Sequence, residues 1–278
     1  MLQVASLGSG SSGNALLVRS ATTVLLLDCG FTLKETTARM AQLGVSPASL
    51  DGVLITHEHG DHVKGVGPLS RKYGKSIWLT HGTYHALRDN RFHHSNIINA
   101  HQSFAIGDIE IDPFPTPHDA RESCQYVFSN ESVRFACATD LGKYTPHVES
   151  MLTGVSGLLV ESNYDEHMLR TGPYPESLQA RIRSDFGHLG NVQAGELLKK
   201  IDHPGMHTIL LGHLSEQNNT DDAAAATVAG FLPGGDERVT VLQQHSASRW
   251  FTISKDKPEG DRAVTDKTAD QVLSPLTS

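Results

Sequence analysis

The chain has 278 residues, a formal charge of −8, 38% hydrophobic residues and 25 glycines, the profile of a globular α/β protein rather than a disordered or fibrous one. No apolar run approaches the ~20 residues of a membrane span, no charged segment with a long apolar core opens the chain, and three scattered cysteines exclude a disulfide framework or a Cys-x-x-Cys zinc site. The expectation is a cytoplasmic protein with no membrane partner, and the acidic balance argues against a broad basic surface for tight non-specific nucleic-acid binding.

Gln3–Leu7 and Ala15–Val18 read as strands joined by the tight loop Gly8-Ser9-Gly10-Ser11-Ser12-Gly13-Asn14. A phosphate-binding P-loop would need a following Lys-Ser/Thr and a helix; here a strand comes next. As a hairpin turn the loop instead offers Ser11, Ser12 and Asn14 as substrate contacts. Val24–Leu27 is a strand, Leu33–Leu43 a helix stopped at Gly44, and Pro47 and Asp51 lead into the apolar run Val53-Leu54-Ile55. Thr56-His57-Glu58-His59-Gly60-Asp61-His62-Val63 follows. His57 and His59, two apart at a strand end, point the same way, and a turn through Gly60 brings Asp61 and His62 to a neighbouring point. Imidazole and carboxylate together are the usual ligands of zinc, iron or manganese, so the spacing describes two adjacent metal sites.

A helix over Val63–Tyr73 and a strand over Ile77–Thr80 are expected next, then a helix over Thr83–Asp89; His93 and His94 read as a surface loop. Phe104–Ile106, Ile109–Ile111, Tyr126–Phe128 and Val133–Ala138 read as strands, the last two joined as a hairpin through Ser129–Ser132. A short helix at Met151-Leu152, strands at Leu158–Glu161 and Thr208–Leu211, a helix over Gln193–Ile201 and a closing strand at Val239–Leu242 complete the pattern. Two such halves fit an α/β protein of the αββα sandwich type, one domain over residues 1–253, with 254–278 as a disordered tail. Arg170, Arg181, Arg183, Lys199 and Lys200 concentrate positive charge in one stretch and could line a local groove.

His-x-His-x-Asp-His after an apolar strand resembles the signature of the metallo-β-lactamase superfamily. The further pieces that family requires are present in order: Asp28 after Val24–Leu27, His118 after Phe114–Pro117, Asp140 after Arg134–Thr139, and His213 after Thr208–Gly212. By this resemblance His57, His59 and His118 hold one divalent ion, Asp61, His62 and His213 a second, Asp140 bridges them, and Asp28 orients ligands. The interval from Asp140 to His213 is too short for the inserted domain of the β-CASP branch. The Gly-Ser-Gly-Ser-Ser-Gly-Asn string, Gly187-His188-Leu189-Gly190-Asn191, and Glu161 with Asn163 look like the WalJ/YycJ-like branch. On its own His188 reads as a core or capping histidine; the resemblance makes it a substrate contact or general acid, alongside Asn163, with Asp61 and Asp28 in the catalytic set.

The activity this implies is metal-dependent phosphodiester hydrolysis, with two divalent ions (Zn, Mn or Fe) about 3.5–4 Å apart holding a hydroxide between them. The substrate implied is single-stranded DNA or DNA ends, cut as a 5′-to-3′ exodeoxyribonuclease with a role in DNA repair. A hydrolase of a thioester, lactone or cyclic phosphate on the same site is the alternative, because this scaffold hosts many chemistries; a non-catalytic regulatory protein is a third. Oligomeric state is not encoded in any of these features.

Overall fold

A computed structural model describes residues 1–131 and 133–255. The first half of the chain runs β1 (Leu2–Gly8), β2 (Ala15–Arg19), β3 (Val24–Leu27), α1 (Leu33–Gln42), β4 (Gly52–Leu54), α2 (Gly60–Val63), α3 (Val66–Tyr73), β5 (Ser76–Thr80), α4 (His81–Ala86) and β6 (His94–Ile98). The second half runs β7 (Phe104–Ile106), β8 (Ile109–Pro115), β9 (Cys124–Asn130), β10 (Val133–Ala138), α5 (Pro146–Leu152), β11 (Gly157–Glu161), α6 (Glu166–Thr171), α7 (Glu176–Ile182), α8 (Asn191–Ile201), β12 (Thr208–Gly212), α9 (Asp221–Ala229), β13 (Val239–Val241) and β14 (Phe251–Ile253).

The strands form two seven-stranded sheets, in the orders β14-β1-β2-β3-β4-β5-β6 and β13-β12-β11-β10-β9-β8-β7, so β14 from the second half completes the sheet of the first. Both sheets begin as antiparallel meanders and turn parallel, at β3/β4 and at β10/β11. The parallel strands read as unbroken apolar runs because both of their faces are covered. Leu25 and Leu27 face the second sheet, in a core shared with Tyr126, Phe128, Phe135 and Leu159. Leu26, Val53 and Ile77 face the other way, onto Met40 of α1 and Leu69 of α3. Leu158, Val160 and Leu211 likewise pack against Val148, Leu197 and Val228 of α5, α8 and α9. The result is the αββα sandwich expected from the sequence, and the residues between Asp140 and His213 form helices and strands of this sandwich, with no inserted domain among the described residues.

Several elements depart from the sequence reading. The helix expected over Val63–Tyr73 is two pieces, α2 and α3, broken at Lys64–Gly65. Pro68 has no N–H for the Lys64 carbonyl, and its ring would crowd that group. Gly65 also lies so close to the Phe31 carbonyl that a Cβ would sit 2.4 Å from it. The next helix starts at His81, capped by the Thr80 hydroxyl, and ends at Ala86 instead of running over Thr83–Asp89. His94 opens the edge strand β6 and pairs with Ser76, at the start of β5, so the His93–His94 doublet sits at the opposite end of the sheet from the strand ends that carry His57 and His59. The strand expected at Val239–Leu242 is present as β13 but is not the last; β14 follows it and pairs with β1. The tail expected over 254–278 lies outside the described residues, Ser254 and Lys255 excepted. No helix among the described residues is long and apolar enough to cross a membrane.

Candidate metal centre

Asp28, His57, His118, Asp140, Glu161 and His213 all stand at or just beyond the C-terminal ends of strands, where the ends of parallel strands leave a crevice. Asp28, Asp140 and His213 take left-handed backbone angles, with φ of 59°, 52° and 56°. Such angles cost non-glycine residues about 1–2 kcal/mol each, and each turns a side chain inward at the point where the strand would carry it past. The Gly8–Asn14 loop and the motif loop are stitched together by backbone bonds: Asn14 N–H to the Asp61 carbonyl (2.8 Å), Gly30 N–H to the Asn14 carbonyl (2.9 Å) and Cys29 N–H to the His62 carbonyl (2.8 Å). A Cβ on Gly30 would lie 1.7 Å from the Asp61 carbonyl oxygen, so this approach requires glycine.

Two histidine groups face each other across Asp140. In the first, His57 Nε2 is 3.1 Å and His118 Nε2 3.3 Å from His59 Nδ1. In the second, Asp61 Oδ2 is 3.5 Å from His62 Nε2 and 3.4 Å from His213 Nε2. Asp140 reaches both, with Oδ2 3.2 Å from His62 Nε2, and Oδ1 3.5 Å from His213 Nε2 and 3.8 Å from His118 Nε2. Potential ligand atoms within each triad, His57–His59–His118 and Asp61–His62–His213, lie within 4.8 Å of one another.

Surrounding hydrogen bonds decide which ring nitrogens carry lone pairs. His57 Nδ1 donates to Thr56 Oγ1 (2.9 Å), and that hydroxyl donates to Asp28 Oδ2 (2.8 Å). His62 Nδ1 donates to the same Asp28 oxygen (2.8 Å), while the Thr56 amide donates to Asp28 Oδ1 (2.9 Å). His118 Nδ1 donates to the Gly187 carbonyl (3.2 Å) and His213 Nδ1 to Glu161 Oε1 (2.8 Å). With Nδ1 spent on these partners, four rings turn their Nε2 atoms to the centre, the arrangement that fixes orientation in metal-binding histidines.

The residues fit divalent cations. Asp140 Oδ2 is buried and makes no hydrogen bond, and three ring nitrogens of the first triad converge, with His57 Nε2 and His118 Nε2 at 3.1 and 3.3 Å from His59 Nδ1. Burial, reinforced by His62, holds His57 well below the usual histidine range, and burial also lowers His118. Burial would lower His62 and His213 too, but the Asp140 carboxylate and its acidic neighbours outweigh it, holding His62 well above the ordinary value and His213 at about 10. Burial pushes Asp61 and Asp140 up, yet His62 and His213 overcome it and keep both ionised. The protons held on His62 and His213 occupy the places where cations would sit, and a metal would displace them. Nitrogen and oxygen donors without thiolate suit Zn, Mn or Fe.

Glu161 is a residue whose work the sequence did not disclose. Fully buried, its Oε1 accepts from both His188 Nδ1 and His213 Nδ1 at 2.8 Å, and its Oε2 accepts the Leu141 and Leu189 amides at 2.9 and 3.0 Å. Burial raises it, but His188, His213 and these bonds hold the carboxyl at about 2. Although Asp140, Glu161, His188 and His213 also lie close enough to surround an ion, four hydrogen bonds already saturate Glu161, and His188 Nδ1 is committed to it. The group is better described as a positioning hub. Its sequence signals are its place at the end of the apolar run Leu158–Val160 and the family resemblance it shares with Asn163, neither of which discloses this role. Glu161→Gln should weaken metal binding about 10- to 100-fold, because the neutral amide holds the His213 tautomer less firmly. Titration of the apo protein with Zn and Mn measures this, and an unchanged affinity would contradict the role.

The other expected contacts divide. His188, 23% exposed at its side chain, and Asn163 line a pocket of about 290 Å³ over the centre, together with Ser11, Tyr174, Leu178 and Arg181. Asn163 Nδ2 donates to the His213 carbonyl (2.8 Å). Asn14 is buried against Asp61 and His62 (3.4 and 3.2 Å from Nδ2) and is not presented to the pocket. Ser12 is exposed, with its amide donating to Gln244 Oε1 (2.8 Å). The five cations expected to share a groove do not share one: Arg183 pairs with Glu166 and Lys200 with Glu149, and of the five Arg181 lines the pocket. Cys29, Cys124 and Cys137 are buried free thiols, and burial pushes the first two up to about 12, which excludes thiolate chemistry.

Residues 23–213 match the family model of the beta-lactamase superfamily domain. The chain is 34% identical over 241 residues to the exodeoxyribonuclease WalJ of Streptococcus pneumoniae, covering 84% of this chain and 90% of that one. It is 35% identical over 234 residues to the exodeoxyribonuclease YycJ of Bacillus anthracis, covering 81% and 87%. Among solved structures, the metallo-beta-lactamase fold protein YhfI of Bacillus subtilis aligns with a TM-score of 0.71 at 18% identity, over 90% of this chain and all of that one. Zn²⁺-bound PqqB of Methylobacterium extorquens aligns at 0.69 and 17%, over 88% and 99%; at these identities the two structures speak for the fold alone. The relatives support a nuclease role, and the chain belongs to the metallo-β-lactamase superfamily, in its WalJ/YycJ branch, as a metal-dependent hydrolase.

Proposed function

We propose that the chain is a two-metal phosphodiesterase acting on DNA, a 5′-to-3′ exodeoxyribonuclease that trims single-stranded ends in DNA repair. The observation that carries this reading is the pair of triads facing each other across Asp140, whose Oδ1 lies within reach of both, 3.8 Å from His118 and 3.5 Å from His213, while Oδ2 faces His62 at 3.2 Å. His57, His59 and His118 would hold one ion, Asp61, His62 and His213 the other, and Asp140 both. Bound divalent ions supply Lewis-acid polarisation of a phosphoryl oxygen and a water made nucleophilic at neutral pH. The chain's own groups do the rest. Asp28, through Thr56 and His62, and Glu161, through His213, hold the ligand rings in one tautomer. His188, with Nδ1 bonded to Glu161, keeps Nε2 available to the pocket it lines. Burial lowers its proton affinity, but the Glu161 carboxylate outweighs that and raises it above the ordinary histidine value, a shift toward the charged ring that suits a group giving a proton to the leaving oxygen.

The test is a substrate panel with metal added back to chelated protein. Single-stranded DNA carrying a 5′ label should release short labelled products early, and a closed circular single strand should survive. Cutting of the circle at a comparable rate would make the protein an endonuclease. Turnover confined to a lactone, thioester or cyclic phosphate would replace the nuclease reading.

A further inference from the structure

Two hollows meet at the metal centre. The pocket of about 290 Å³ has Tyr174, Leu178, Arg181 and Ile182 as its outer wall. On the other side lies a larger groove of about 800 Å³, running past Lys64 and Pro68 to Leu87 and Arg88. Ser11, His59 and Asp61 line both, so the boundary between the hollows coincides with the ligand cluster. The two differ in chemistry as well as in volume. The pocket has room for about one nucleotide, an apolar and aromatic wall against which a base can lie, and one cation, Arg181, held at its mouth by Asp119 (Nε to Oδ2, 2.8 Å).

The groove carries both signs, Lys64 and Arg88 against the carboxylates Glu58, Asp61 and Asp89, and its pairings show which cations are left uncommitted. Asp89 is bound by both Arg71 and Arg91 (2.9 and 3.0 Å), which leaves that cluster with a net positive charge. Glu58 spends Oε1 on the Arg121 amide (2.7 Å). Lys64 and Arg88 are exposed, and among the described residues neither makes an ion pair. A chain with a net charge of −8 thus places two uncommitted cations along the hollow that leads away from the metal centre. Exposed cations without partners are the groups that a phosphate backbone neutralises, whereas a small neutral substrate has no use for them.

We infer that the groove is a backbone track for single-stranded nucleic acid: Lys64 and Arg88 hold the phosphates of the retained strand, and the terminal nucleotide enters the pocket beneath α7. The scissile phosphate then lies at the junction marked by His59, Asp61 and Ser11. The inference rests on the phosphodiesterase reading and adds where the strand runs and how much is released per cut, namely one nucleotide.

The test compares a long oligothymidylate with a thymidine dinucleotide, using wild-type holoenzyme and the double variant Lys64→Ala/Arg88→Ala. The ratio of kcat/KM for the long strand to that for the dinucleotide should fall about tenfold in the variant. Its salt dependence on the long strand should flatten by about 1.4 in log–log slope, the contribution of two phosphate contacts on a single strand. Wild type should release mononucleotides from the first turnovers. An unchanged length ratio and salt slope, or longer first products, would overturn the track. Failure of the wild type to cleave either substrate, with metal bound, would instead remove the phosphodiesterase reading and this inference with it.

Discussion

Alanine at Asp140 should remove bound transition metal and lower phosphodiester hydrolysis by at least about 10²- to 10³-fold, the usual cost of losing a group that stabilises transition-state charge in a dry site. The expectation follows from position. Asp140 is the carboxylate both triads share, buried to 2%, with an oxygen that nothing in the protein satisfies. The backbone adds a second effect, since φ is 52° at this residue. Asparagine adopts that conformation more readily than alanine does. Asp140→Asn should therefore fold with less loss of stability than Asp140→Ala while sharing its loss of metal affinity. Metal content by elemental analysis, beside thermal unfolding of the apo forms, separates the two effects. A variant at Asp140 that keeps both metal and activity would sink the two-metal mechanism.

Alanine at His188 should lower turnover on DNA by about 10²- to 10⁴-fold, the range for a lost general acid, and leave metal content unchanged. His188 Nδ1 is bonded to Glu161, and its ring lies 5.5 Å from that of His118 and 5.1 Å from that of His213, centroid to centroid, at the edge of the ligand cluster. Removing the ring leaves Glu161 with its bonds from His213, Leu141 and Leu189, so the unfolding temperature should move little. A substrate with an activated leaving group, such as a p-nitrophenyl phosphodiester, needs less proton donation and should be cut with a much smaller deficit. Loss of one metal equivalent in this variant would make His188 a ligand, and equal deficits on both substrates would remove its role as an acid.

The sequence by itself determined the sandwich and singled out the candidate ligands that the fold brings together. Apolar runs such as Val24–Leu27 and Thr208–Leu211 mark strands buried on both faces, and Asp28 and His213 follow them at the strand ends. The crowding of His57, His59, Asp61 and His62 is legible because metal chemistry restricts residue type and local geometry restricts spacing. Pro68, read for its missing N–H, also carried the break between α2 and α3 that the periodicity did not reveal. Only the tertiary structure decided the rest. Glu161 acts on His188 and His213 across 27 and 52 positions, and Thr56 joins His57 to Asp28, 28 positions earlier. Hydrogen bonds at such separations leave no periodicity, because which donor meets which acceptor depends on how two sheets pack. The left-handed angles at Asp28, Asp140 and His213 and the pairing of three-residue β14 with β1 are likewise imposed from outside the segment. The charge pattern misled for the same reason: Arg183 and Lys200 are neutralised by Glu166 and Glu149, whereas Lys64 and Arg88, unremarkable in sequence, stand uncommitted beside the metal centre. Charge along a chain becomes a field only when folding has chosen the partners, and here that choice left Lys64 and Arg88 uncommitted along the groove.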